Sequence, residues 1–286
     1  MKKVTKYLLI FLTLVCFFVW ASVAKSPQDN FVHLYILNVG QGDAILIERG
    51  EYQILIDGGP DDKVLSELGR VMPAYDRTIE QVILTHPHAD HLTGLNQVLD
   101  RYAVGTLYTN GVLYDSNTYM NFLDKLKQKN IEAVTPKSFS EVPVFENGSL
   151  KFLWPGEQFK DQKTDDLNET SIVTQFCYFA YCALLTGDVQ VDKQAELLAL
   201  AKSKNIDLKS DLLKVSHHGS INGTNQALLD TVLPKLAVIS VGAENKFGHP
   251  HAGVIDLLNL NSIKTFRDDR DGGLDFAFSV DGIIKK

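Results

Sequence analysis

Four side chains that bind metals fall within the six residues His86-Pro87-His88-Ala89-Asp90-His91, and they include three of the chain's eight histidines. Imidazole together with carboxylate suits zinc, and also manganese or iron. A helix cannot aim all four at one point, because successive residues turn by about 100°. A loop leaving a strand and entering a helix can. The bland alternative is a polar loop with chance histidines, but an apolar, helix-spaced stretch follows at once. Two further segments end apolar runs in ligand-type residues. Leu184-Leu185-Thr186-Gly187-Asp188 ends in a carboxylate, and Leu212-Leu213-Lys214-Val215-Ser216-His217-His218 ends in two imidazoles. Taken singly, Asp188 reads equally well as a helix N-cap, and His217 or His218 as a surface residue. Their conjunction points to one metal site assembled where three strands end.

The elements that would position these groups follow from apolar spacing. Strand-type runs occupy 31–39, 44–48, 53–56, 81–85, 104–108, 150–154, 171–177, 182–186, 211–215, 236–241, 274–280 and 283–284. Helical spacing marks 64–71, 92–99, 120–126, 194–201, 225–232 and 253–260. Strand-rich blocks punctuated by helices predict two packed sheets with helices outside, in one domain from residue 31 to the end.

Composition is that of an ordinary globular chain, 45% hydrophobic and 22% charged over 286 residues. The first 24 residues differ. Lys2, Lys3 and Lys6 precede an apolar run over 7–20, and Ser22-Val23-Ala24 offers small residues for signal-peptidase cleavage. Residues 1–24 therefore read as a signal peptide, or as an uncleaved membrane anchor through 7–24. Either places the rest outside the cytoplasm, secreted or held at the outer face of the membrane. Without residues 1–24 the chain has 25 basic against 35 acidic residues, a net charge of −10. Broad electrostatic capture of nucleic acid is thereby disfavoured, although bound divalent metal would make a cleft locally positive. A thiolate zinc site is excluded by cysteine count. Cys177 and Cys182 face each other if Phe179-Ala180 is a two-residue hairpin turn, which predicts a disulfide. The alternative is two small buried hydrophobes.

The motif His86-Pro87-His88-Ala89-Asp90-His91 resembles the signature of the metallo-β-lactamase superfamily. The segments 37–48, 54–59, 186–188, 217–220, 248–251 and 269–272 are similar, in order, to the extracytoplasmic hydrolase domain of ComEC-type competence proteins. This resemblance implies an αββα sandwich, an α/β fold with a one- or two-metal site at one edge. It implies that His86 and His88 hold a first metal, that Asp90 and His91 hold a second, and that Asp188 bridges them. By the same likeness one of His217 and His218 completes the second site, with His218 preferred because the superfamily's last histidine commonly precedes glycine; His217 would then contact substrate, and Asp57 orients the His86 loop from behind. No histidine lies between His91 and Asp188, where the superfamily usually supplies a third ligand to the first metal. Asn168 of Asn168-Glu169-Thr170-Ser171 stands there, so the expectation is one or two Zn2+, with labile Mn2+ as the alternative.

The implied chemistry is hydrolysis. A bound metal lowers the pKa of water toward about 7 and polarises a phosphoryl or carbonyl oxygen. Asp90, or the metal-bound hydroxide itself, would handle the proton, and His249 or His251 would protonate the leaving oxygen or steady its charge. The alternative for 249–251 is a solvated helix-entry loop. The expected function is a phosphodiesterase or nuclease related to DNA-uptake competence proteins, acting on DNA or another extracellular phosphodiester. A small-ester hydrolase (phosphorylcholine ester or lactam) and a metal-binding module without catalysis are the competing readings. A permease-linked competence protein needs many membrane-spanning runs and none follows residue 24, so a stand-alone hydrolase part is expected.

Overall fold

The computed structural model describes residues 2–23 and 31–286, and the chain divides into two compact units, Met1–Asn30 and Phe31–Lys286. The first holds helix α1 (Lys2–Val23). The expected cleavage point after Ala24 lies outside the described residues. Among the described residues no helix is long and apolar enough to cross a membrane.

The second unit is built in two passes. Its first half lays down β1 (Val32–Ile36), β2 (Ile45–Arg49), β3 (Tyr52–Ile56), β4 (Thr78–Leu84), β5 (Ala103–Thr109) and β6 (Ala133–Val134). Its second half lays down β7 (Ser140–Pro143), β8 (Gly148–Trp154), β9 (Val173–Tyr178), β10 (Tyr181–Leu185), β11 (Leu212–Lys214), β12 (Leu236–Ile239) and β13 (Lys264–Arg267). A closing hairpin, β14 (Leu274–Ser279) and β15 (Gly282–Lys285), returns to the first sheet. The two sheets run β15-β14-β1-β2-β3-β4-β5-β6 and β13-β12-β11-β10-β9-β8-β7. Helices α2 (Lys63–Val71), α3 (Ala89–Arg101) and α4 (Asn117–Gln128) cover the first. Helices α5 (Val191–Ser203), α6 (Gln226–Val232) and α7 (Ala252–Leu260) cover the second, and α8 (Asp268–Asp271) is a single turn.

Strand periodicity explains the four layers. Ile45, Ile47, Ile54 and Ile56 face the second sheet, whereas Leu46 and Leu55 between them face the helices. Both faces are buried, so these strands read as unbroken apolar runs. Between the sheets Phe176 meets Phe278 edge-on at 5.6 Å, an arrangement worth about 0.5–1.5 kcal/mol beyond area burial. The αββα sandwich expected from sequence is the architecture observed.

Several boundaries differ from the spacing. β1 stops at Ile36 because the chain turns there toward Gly40, rather than continuing to residue 39. Strands β6, β7 and β13 were not expected; they are short or carry few buried apolar residues. Helix α3 begins at Ala89, with His88 as its N-cap. Asp90 and His91 therefore lie in the first helical turn and not in a loop. The hairpin β9–β10 has the expected register, Cys177 opposite Cys182, and Phe179 takes up φ 52° at the first turn position. Cys177 and Cys182 are disulfide-bonded, with Cα atoms 4.1 Å apart.

Candidate metal centre

Strands β3 and β4 run parallel, as do β10, β11, β12 and β13, so in each group the carboxyl ends share one edge. Each ends in a polar residue at the site. β3 leads to Asp57, β4 to Thr85 and the 86–91 segment, β10 to Asp188, β11 to His217 and His218, β12 to Ser240, and β13 to Asp268. Grooves outside the carboxyl ends of parallel strands are where such sheets place ligands.

Asp57 is fully buried and organises the first group. Its Oδ1 accepts from Thr85 N at 2.8 Å, and its Oδ2 accepts from Thr85 Oγ1 at 2.7 Å and lies 2.8 Å from His91 Nδ1. With its proton directed at Asp57, the Thr85 hydroxyl can accept from His86 Nδ1, 3.0 Å away. Both imidazoles are thus turned so that Nε2 faces the cleft. His86 Nε2 lies 3.0 Å from His88 Nδ1, and His91 Nε2 lies 3.2 Å from Asp188 Oδ2.

His218 is held in the same manner from the second sheet, its Nδ1 2.9 Å from Ser240 O. Its Nε2 points to Asp188 Oδ2 at 3.4 Å and Asp90 Oδ2 at 3.5 Å. Ligand atoms of His86, His91 and Asp188 cluster within 4.8 Å of one another, as do those of Asp90, His91 and His218. Asp188 also clusters with Asp43 and His218. The electrostatics match a cation site. Burial opposes charge on His91, but Asp188, Asp57 and Asp90 overcome it and hold the imidazolium well above the usual range. Burial likewise opposes charge on His218, which Asp188, Asp90 and Asp43 push up to about 10. Asp188 and Asp90, which burial alone would raise, are held low by those same two imidazoles. Burial and the His91 cation keep His86 neutral. Two buried imidazoliums therefore supply the positive charge that a divalent cation would supply. His218 Nε2 and Asp188 Oδ1 are also buried without a hydrogen-bond partner. The residues fit a divalent metal on both counts.

The mouth is lined differently. His217 Nε2 lies 3.5 Å from Asn168 Nδ2, and its ring is 5.6 Å from that of His249. Asn168 Oδ1 and the Nδ1 atoms of His217 and His249 are buried without hydrogen-bond partners. Burial and the neighbouring His217 push His249 down to about 4, and burial also lowers His217. Both are neutral imidazoles at neutral pH. His251 is exposed and accepts from Gly253 N at 3.2 Å, capping α7. The structure thus brings Asn168, His217 and His249 together and sets His251 on the adjoining helix entry.

Sequence reasoning missed several residues of the site. Lys214 is fully buried, paired with Asp43 and 3.7 Å from Asp188 Oδ1. Burial works against its charge, but Asp43 and Asp188 hold the ammonium protonated. Strand parity was the available signal, since Leu212 faces between the sheets and Lys214 shares its face. Ser171 Oγ accepts from Asp188 N at 3.1 Å and sits 3.2 Å from His86 Nδ1, joining one candidate ligand to another. Asn110 Nδ2 donates to Thr85 O at 3.1 Å and Thr170 O at 2.9 Å, tying the β4 loop to the Asn168 turn. Asp268 accepts from Val241 N at 2.7 Å beside Ser240, which carries the His218 acceptor. At Gly42, φ is 138° and a Cβ would stand 2.1 Å from Asp90 O, so only glycine lets this loop approach the first turn of α3.

The family model of the metallo-beta-lactamase superfamily matches residues 37–243. ComE operon protein 3 of Bacillus subtilis is 25% identical over 263 residues, which is 85% of this chain and 32% of that protein. The chain spans about a third of the length of the curated relatives of this kind that it matches. Exodeoxyribonuclease WalJ of Streptococcus pneumoniae is 20% identical over 120 residues, 41% of this chain and 44% of that one. Among solved structures, the metallo hydrolase Igni18 of Ignicoccus hospitalis superposes with a TM-score of 0.55 at 13% identity, over 86% of this chain and 100% of that chain.

Proposed function

Because the chain belongs to the metallo-beta-lactamase superfamily of metal-dependent hydrolases, we propose that it is a phosphodiesterase that cleaves DNA. The observation that carries the reading is the position of Asp188, whose carboxylate clusters with His86 and His91 and also lies 3.4 Å from His218 Nε2. A carboxylate common to two ligand sets suits a pair of cations clamping a phosphoryl centre. Zinc is the proposed metal, with manganese as the alternative, given the mixed imidazole and carboxylate donors. His86, His88 and Asp188 would hold one ion, and Asp90, His91, His218 and Asp188 the other. When bound, such ions polarise a phosphoryl oxygen and acidify water.

The remaining roles belong to side chains. Asp90 is the most open of the carboxylates, its side chain 32% exposed, and is held as an anion by His91 and His218. Being held as an anion, it would orient the attacking water by accepting its hydrogen bond. His217 and His249, being neutral, donate N–H hydrogen bonds to phosphoryl or leaving-group oxygen and steady developing charge. Asn168 lends its amide to the same oxygen. His251 supports this edge through its helix cap. The relative named an exodeoxyribonuclease favours DNA over a lactam.

The proposed location is extracytoplasmic, with residues 1–24 as signal or residues 7–24 as tether. The Cys177–Cys182 bond supports it, since such bonds persist in oxidising compartments. A panel of bis-p-nitrophenyl phosphate, single-stranded DNA, p-nitrophenyl phosphorylcholine and nitrocefin, on protein of measured metal content, tests the reading. The expected result is chelator-sensitive cleavage of the first two. Nitrocefin or phosphorylcholine turnover without phosphodiester cleavage would overturn it.

A further inference from the structure

A ladder of rings runs from the buried ligand group to solvent. His218 and His217 have centroids 6.1 Å apart, His217 and His249 5.6 Å, and His249 and Phe247 5.7 Å. The last pair is stacked, with ring planes 25° apart, and Phe247 is 68% exposed. A phenylalanine so exposed loses hydrophobic stabilisation that folding back would recover. What keeps it out is a built loop. Asn245 donates to Gly242 O at 2.8 Å and His249 O at 2.7 Å, and its Oδ1 accepts from Phe247 N at 3.2 Å and His249 N at 3.0 Å. One side chain thus fixes the backbone on both sides of the stack. Gly242 closes the loop against Gln41, whose Oε1 accepts from Gly242 N at 3.1 Å.

Resting on the phosphodiesterase reading, we propose that Phe247, backed by His249, is a stacking platform for a nucleobase of single-stranded DNA beside the scissile phosphate. One face of the ring lies on His249 and the ring is otherwise largely open to solvent, as a base would require. His249 belongs both to the stack and to the group around His217, so the platform is adjacent to the mouth of the centre. Stacking accepts every base, because each has a π face. It also suits an acidic protein that cannot rely on a broad basic surface to hold the strand.

The test compares oligothymidylate with an abasic deoxyribose-phosphate oligomer of equal length, on the full metal-loaded chain. Phe247→Ala should lower kcat/KM on oligothymidylate about 5- to 100-fold, mainly through KM, and leave the abasic oligomer unaffected. Phe247→Trp should retain activity, and its added fluorescence should be quenched by oligothymidylate and not by the abasic oligomer. Equal effects of Phe247→Ala on both oligomers, or a Trp signal blind to oligothymidylate, would overturn the platform. If the wild type cleaves neither oligomer, the phosphodiesterase reading fails, while the Trp quenching still decides whether bases stack there.

Discussion

Lys214 and Asp43 form a fully buried ion pair that joins the two sheets, Lys214 closing β11 of one and Asp43 leading into β2 of the other. Removing one partner of a buried pair strands the other's charge, at a cost of about 3–5 kcal/mol. Lys214→Met should therefore destabilise the metal-free protein by that order. Lys214→Met combined with Asp43→Asn should recover much of the loss. Urea denaturation of the four proteins in the cycle measures the coupling, and additive losses would mean the pair acts as two independent residues.

Asp57 governs two imidazoles, His91 directly and His86 through Thr85. Asp57→Asn should lower metal affinity about 10- to 100-fold, as loss of a ligand's orienting partner does. Competition against a zinc-binding dye reads this directly. In the same titration His218→Ala should lose metal and His217→Ala should keep it, since only His218 reaches Asp90 and Asp188. The opposite order would exchange their roles.

A pH effect should arise away from the metal. Burial raises the Glu48 carboxyl to about 7, only partly relieved by Gln53. Between about pH 4.5 and 7 the folded protein keeps a proton that the unfolded chain has released, so stability falls as pH rises through that window and levels off above it. The full effect is on the order of 3 kcal/mol. Glu48→Gln should flatten that segment of the stability profile and leave the protein more stable than wild type at pH 7.5. Parallel profiles for the two proteins between pH 4.5 and 7 would refute the assignment.

The Cys177–Cys182 bond closes a short hairpin, so its entropic contribution is about 2 kcal/mol or less. The double Ser variant should lose no more than that in urea denaturation, with metal binding unchanged. Alkylation of the unreduced protein followed by mass spectrometry should leave Cys177 and Cys182 unlabelled.

The legible part of this molecule is where an apolar run meets a ligand-type residue. His86 to His91, Asp188 and His217-His218 all stand at such junctions, and the layers followed from the same runs. Lys214 was illegible because a lysine after two leucines looks like a side chain reaching for solvent. Asp43 of the partner sheet, 171 positions away, together with Asp188 makes its burial tolerable. Asp43 reads as turn chemistry between Gly42 and Ala44, and Asp268 hides in the acidic turn Asp268-Asp269-Arg270-Asp271. The start of α3 escaped the spacing because Ala89, Asp90 and His91 carry no apolar stripe. The first turn there is fixed instead by His88 O accepting from His91 N at 3.1 Å and Leu92 N at 3.0 Å.

The ligand atoms come from both sheets, His86 to His91 after β4 and Asp188 and His218 after β10 and β11. The groups built on Asp188 and His218 draw on both halves of the sandwich, so a cation seated there would act as a stitch across the seam. Its binding energy is spent on keeping the two halves shut, and the melting temperature should climb with free metal as RT ln(1 + [M]/Kd) adds to folding. A partly opened sandwich, with its core still collapsed on each side, would let the ion go first. Metal retention would thus read out whether the two sheets are in register, without watching any chemistry.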